Sequence, residues 1–161
     1  MLTLAEKFLA VATGGTFDEI HVGHIALLAK AFDVGSKVII GVSSDKFADS
    51  RGKKLNHNFE IRVANLKKII KKEFGNVNYE IAKLDGDFGP AVITSDVQAL
   101  VTSTETWSKG QLLNEMRTKR GLKRVKVIDV GLLKAEDGST ISSTRIRAGE
   151  IDARGRLLKR T

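Results

Sequence analysis

Five short apolar runs alternate with segments of helical periodicity, and that alternation limits what this chain can fold into. Phe8 to Thr13, Lys37 to Val42, Val77 to Leu84, Ala99 to Thr102 and Val125 to Val130 read as strands. After the first of them, Val22 opens a helical pattern with Ile25, Leu28 and Phe32 on one face, which stops at Gly35. Ser43-Ser44-Asp45 reads as the cap of a short helix through Ala48. Phe59 to Phe74 is the clearest amphipathic helix, with Phe59, Val63, Leu66, Ile70 and Phe74 at three- and four-residue steps before Gly75. A helix from about Glu105 to Arg120 closes at Gly121, and Ser142-Ser143-Thr144 opens a last helical region. The order β-α-β-α-α-β-(α)-β-α-β-α predicts an α/β fold, a mostly parallel five-stranded sheet with helices on both faces. Ligands on such sheets sit at the carboxyl ends of the strands, so the loops after Thr13, Val42, Thr102 and Val130 are expected on one rim.

The 161 residues show no internal repeat, low-complexity tract or linker, which predicts a single domain over residues 1–161. There is no apolar run of membrane-spanning length, and no secretory leader is read at the start, so a cytoplasmic location is expected. The absence of cysteine excludes disulfides, zinc–thiolate sites and thiol catalysis. A net charge of +8 favours anionic partners. The basic residues are spread along the chain, and one Trp and one Tyr give few stacking platforms. That pattern argues against nucleic acid and for a phosphorylated small molecule, with neither a membrane nor an obligate protein partner expected.

The loop after the first strand carries the most chemistry. Ala12-Thr13-Gly14-Gly15-Thr16-Phe17-Asp18-Glu19-Ile20-His21-Val22-Gly23-His24 joins a strand end to a helix start. Gly14 and Gly15 let backbone N–H groups approach a phosphate, and the helix N-terminus at Val22-Gly23-His24 favours anions. His21 and His24, three residues apart, are placed to face one phosphate, and Thr16 adds a hydroxyl. Far along the chain, Ile141-Ser142-Ser143-Thr144-Arg145-Ile146-Arg147 offers hydroxyls, helix N-terminal N–H groups and a guanidinium from Arg145 or Arg147.

These two stretches resemble the paired signatures of the nucleotidyltransferase superfamily, GGTFDxxHxGH and ISSTxxR, in the right order. The segments Leu84 to Ala91 (LDGDFGPA) and Val101 to Arg117 (VTSTETWSKGQLLNEMR) are similar to those of phosphopantetheine adenylyltransferases of the archaeal and eukaryotic type. The resemblance runs from about Phe8 to Gly155. Its departures are Trp107, where tyrosine is common, Thr102, where the pattern reads valine, and Thr104. It implies a Rossmann-like, doubly wound fold and transfer of AMP from ATP to 4′-phosphopantetheine, giving dephospho-coenzyme A and pyrophosphate without a covalent enzyme intermediate.

By motif match, His24 stabilises the α-phosphate, His21 contacts the ATP phosphates beside it, and Thr16 orients the attacking phosphate. Lys54, eight residues before Arg62, bridges nucleophile and α-phosphate, with the adjacent Lys53 as its competitor. The ATP side is expected to draw on Gly14, Gly15, Thr16, Phe17, His21, His24, Glu105, Ser142, Ser143, Thr144 and Arg145. The second substrate is expected to meet Thr16, Lys54 and Arg62. Magnesium is expected only as an ion bound through the ATP phosphates, because the sequence offers no dense carboxylate cage. Asp18 reads as a loop brace and His57 as incidental, while Asn114 and Arg117 are open between substrate contact and surface pairing. Two other readings compete. One is a sibling transferase acting on FMN, nicotinamide mononucleotide or a phospho-alcohol, and the other is a basic nucleotide- or RNA-binding module without catalysis.

Overall fold

The computed structural model describes residues 7–89, 96–103, 106–131 and 133–158. Its strands are β1 (Val11–Gly15), β2 (Val38–Ser43), β3 (Tyr79–Leu84), β4 (Ala99–Thr102) and β5 (Lys126–Asp129). The helices are α1 (Val22–Val34), α2 (Asp45–Ser50), α3 (Phe59–Phe74), α4 (Trp107–Lys119) and α5 (Ser143–Arg147). All five strands run parallel in the order β3-β2-β1-β4-β5. The chain winds outward from β1 to β3, then crosses back to lay β4 on the other side of β1. The strand order therefore reverses between β1 and β4, the place where a parallel sheet opens a crevice at its carboxyl edge.

Strand alternation sorts the core into two faces. Val11, Val38, Ile40, Val42, Ala99 and Val101 pack against α1 and α3 through Leu27, Leu28, Ala31, Leu66 and Ile70. Ala12, Ile39 and Leu100 point the other way and meet Leu113 of α4 with Val97 and Val125. Each fully buried Leu or Ile contributes about 1.5–3 kcal/mol of apolar burial, so both faces hold the sheet in place. A third, smaller cluster of Ala135, Ile141 and Ile151 packs with Val22 and Ile146, and Ala153 O accepts from Val22 N at 3.0 Å. The segment after β5 is thereby fastened to the start of α1.

Helix boundaries follow local capping. Asn58 Oδ1 accepts from Ile61 N at 3.0 Å to start α3, and Gly75, at φ +71°, ends it where the periodicity predicts. Ser44 caps α2 through Phe47 N. The first strand is displaced from its expected range. Phe8 forms an isolated bridge with Gly35, and the ladder runs on through Gly14 and Gly15 opposite Gly41 and Val42. A Cβ on Gly14 would stand 3.0 Å from Gly41 O, so glycine lets the two strand ends lie this close. No described helix is long and apolar enough to cross a membrane.

Candidate active site

The signature loop leaves β1 through an uncommon turn. Phe17 takes a positive φ of 53° and buries its ring completely beneath the loop. That ring lies 5.0 Å from the His24 ring and backs it. The expectation that Phe17 binds ATP is corrected for its side chain, which is core rather than lining.

His21 is the N-cap of α1, and the two histidines build the cap between them. His21 Nδ1 accepts from Gly23 N at 3.0 Å, while His24 Nδ1 accepts from His21 N at 3.2 Å. Their rings stack with centroids 3.9 Å apart. A Cβ on residue 23 would stand 2.8 Å from the His21 ring, so the glycine between the histidines lets that ring fold back over the helix end. Because both Nδ1 atoms accept from backbone N–H, a neutral ring must carry its proton on Nε2. Burial lowers the His21 pKa to about 4. His24 falls to about 3, chiefly through burial and further through the nearby charges of His21 and Lys53. At neutral pH the pair therefore offers two uncharged Nε2–H donors.

The two signatures meet in space. Ser143 Oγ donates to Glu19 O at 3.1 Å, and Arg147 Nη1 donates to Asp18 Oδ2 at 2.9 Å. The Asp18 carboxylate is fully buried and also accepts from Asn56 N at 3.1 Å, His57 N at 3.0 Å and His57 Nδ1 at 3.1 Å. Burial pushes its pKa up, but the donors from Asn56, Arg147 and His57 together outweigh that and hold it below the usual carboxylate value. Asp18 is a brace, as its sequence position suggests. His57, read as incidental, is one of the groups it braces.

On the other side of Thr16 a cleft open to solvent lies over the carboxyl ends of β1 to β4. Gly14, Gly15, Thr16 and Lys53 are part of its lining, with Phe47, Leu84, Phe88 and Leu100 among its apolar walls. Lys53 Nζ donates to Thr16 Oγ1 at 2.9 Å. Lys54 does not line this cleft and borders a surface hollow with Asp49, Leu55 and Asn58, which Lys53 also borders. The lysine that bonds Thr16 is thus Lys53, the competitor that the sequence left open beside Lys54. A loop without regular structure carries no periodicity to choose between neighbouring lysines.

Arg62 is also corrected. It is buried to 0% exposure and donates to His57 O at 3.1 Å, Thr16 O at 2.7 Å, Ser43 O at 2.8 Å and Asp45 Oδ1 at 2.8 Å. It ties the ends of β1 and β2 to the loop before α3 and does not line the cleft. Removing it would strand three carbonyls at about 1–3 kcal/mol each. Arg145 is engaged by Asp137, by Glu150 at 2.8 Å and by Thr140 O at 3.2 Å, so its guanidinium faces the segment after β5. This departs from the expected phosphate contact. Ser142 Oγ accepts from Arg145 N, and Thr144 Oγ1 accepts from Arg147. Asn114 and Arg117 are buried and bond backbone at Val125, Lys123 and Val97, leaving neither for substrate or surface. Glu105, Thr104 and residues 90–95 lie outside the described residues.

Arg51, Asp87 and Lys109, none of them a candidate site residue from the sequence, also line the cleft, where Asp87 pairs with Arg51 and lies 3.5 Å from Lys109. Asp87 and Phe88 fall in the turn after β3. A strand-end loop on the ligand-bearing edge was the available signal.

A family model described as cytidylyltransferase-like matches residues 12–149, from the start of β1 to just past α5. The chain belongs to this family. A phosphopantetheine adenylyltransferase from Methanothermobacter thermautotrophicus is 39% identical over 157 residues, covering 98% of this chain and 94% of the relative. Another of that name from Methanosarcina mazei is 40% identical, covering 92% and 97%. Among solved structures, a protein of unknown function from Archaeoglobus fulgidus superposes with a TM-score of 0.68 at 32% identity, over 75% of this chain and 88% of that one. The doubly wound, Rossmann-like α/β fold is the family's.

Proposed function

We propose that this chain is an adenylyltransferase that moves AMP from ATP to 4′-phosphopantetheine, giving dephospho-coenzyme A and pyrophosphate, a step in coenzyme A synthesis. The observation that carries it is the division of one loop into two sides. Asp18 and Glu19 join the ISSTRIR segment, while Thr16 accepts from Lys53 in the lining of a largely apolar cleft. A triphosphate fits the first side, and a phosphate on a long uncharged arm fits the second.

In this reading a phosphate oxygen of phosphopantetheine attacks the α-phosphorus of ATP, and the bond to the β-phosphate oxygen breaks as pyrophosphate leaves. His24 and His21 donate from Nε2 to oxygens that gain charge during the transfer. Lys53, oriented by Thr16, neutralises the incoming phosphate. Positioning and charge stabilisation supply the rate, with no covalent intermediate.

Among the described residues Asp18, Glu19 and His57 bring ligand atoms within 4.8 Å of one another. Asp18 is already saturated by four donors, one of them Arg147, so this cluster does not suit a dication. Magnesium fits as an ion carried on the ATP phosphates, where its charge would offset theirs.

The test is pyrophosphate release from ATP with phosphopantetheine, FMN and nicotinamide mononucleotide offered separately. Turnover with phosphopantetheine alone is expected. Release with either mononucleotide and none with phosphopantetheine overturns the reading.

A further inference from the structure

Five hydroxyl side chains line the cleft: Thr13, Thr16, Ser43, Thr102 and Thr106. Four are occupied. Thr13 Oγ1 donates to Val101 O at 2.9 Å, Thr16 Oγ1 accepts from Lys53, Ser43 Oγ donates to Gly15 O at 3.5 Å, and Thr106 Oγ1 bonds Ser103. Thr102 Oγ1 has no partner, the one buried side-chain N or O atom in that state among the described residues. Thr102 ends β4, is 5% exposed, and shares its strand face with Leu100. A buried hydroxyl without a partner is destabilising, so it is a position where a ligand's hydrogen bond costs the protein nothing it already has.

We propose that Thr102 is a specificity contact for the substrate in the cleft, its hydroxyl donating to an amide carbonyl of the arm that carries the phosphate. The inference rests on the reading of the cleft as the phosphopantetheine side. The remaining cleft walls explain why this group matters. Leu84, Phe88, Leu100 and Val101 give an amide-bearing arm apolar cover, while the other polar side chains of the lining are charged (Arg51, Lys53, Asp87 and Lys109) or hydroxyls already bonded. The hydroxyl is covered in this structure, and one step between staggered χ1 wells exchanges it with the methyl group. Valine is typical at this position in the resembled family pattern, and Thr102→Val replaces the hydroxyl at nearly constant shape.

The experiment measures Thr102→Val and Thr102→Ser beside the unaltered chain, by steady-state kinetics and by calorimetric titration with phosphopantetheine. Thr102→Val is expected to raise KM and Kd for phosphopantetheine about five- to tenfold. KM for ATP should stay within about twofold, and the thermal midpoint should be equal or higher, because an unpartnered buried group has been removed. Thr102→Ser should restore the phosphopantetheine values. Unchanged phosphopantetheine binding in Thr102→Val, or an equal loss for both substrates, overturns this inference alone. No turnover and no phosphopantetheine binding by the unaltered chain overturns it together with the proposed function.

Discussion

His24 holds a helix end with one nitrogen and offers the other to the site. Its Nδ1 accepts from His21 N, so substitution by alanine would damage cap and chemistry at once. Asparagine separates the two, because its Oδ1 can replace the Nδ1 acceptor while nothing replaces Nε2–H. His24→Asn is expected to lower kcat by about 10²–10³-fold, the usual effect of losing one donor to developing charge. Its denaturation midpoint should stay close to that of the parent. A variant that keeps turnover within a factor of ten would remove His24 from the reaction. The motif itself was legible in sequence, because paired histidines flanking a glycine after GGTFD are rare by chance. The capping box was not, since imidazole is an unusual cap and only the folded backbone shows what Nδ1 meets.

The loop between α2 and α3 shows what sequence conveys at the scale of an element. The bounds of α3 were readable from Asn58, the apolar stripe and Gly75, all of them local signals. The register of the loop before it depends on long-range partners. Asp18 takes the backbone of residues 56 and 57, and Arg62 takes His57 O, which together set Lys53 on Thr16. Neither partner can be inferred from a run reading Gly52-Lys53-Lys54-Leu55. Lys53→Ala is accordingly expected to slow single-turnover AMP transfer by about 10²-fold or more, and Lys54→Ala by only a few-fold. The reverse order would return the catalytic assignment to Lys54. The same limit applies to α5, where a capped basic segment was evident but the carboxylates that take its arginines were not.

At the scale of the whole molecule, strand alternation was enough to predict the parallel sheet and its ligand-bearing edge. The order of the strands follows from packing across both faces and was beyond the pattern. Stability should register the buried histidines. An unfolded chain takes up protons on them near the ordinary pKa of 6.5, whereas the folded chain waits until about 4 for His21 and about 3 for His24. Between those values the unfolded state binds more protons, so stability rises with pH across the window. Acidification from about 6.5 should therefore weaken the fold progressively, until the loss from these two groups levels off near pH 3. Asp18, whose pKa is lowered, adds to the loss once the pH drops below the ordinary carboxylate value of 3.8. Urea denaturation midpoints at a series of pH values test this. The slope between pH 6.5 and 4 should flatten when His21 and His24 are both replaced by asparagine.

Asp18 and Arg147, 129 positions apart, have a consequence for how the protein is made. The sheet is complete in the chain once β5 has been synthesised, yet the partner that neutralises Asp18 and the serine that meets Glu19 are translated later. A nascent chain stalled after residue 131 would hold every strand and both histidines, with a buried carboxylate still short of its guanidinium. Assembly of the catalytic rim must therefore wait until residues 143–147 have emerged from the ribosome.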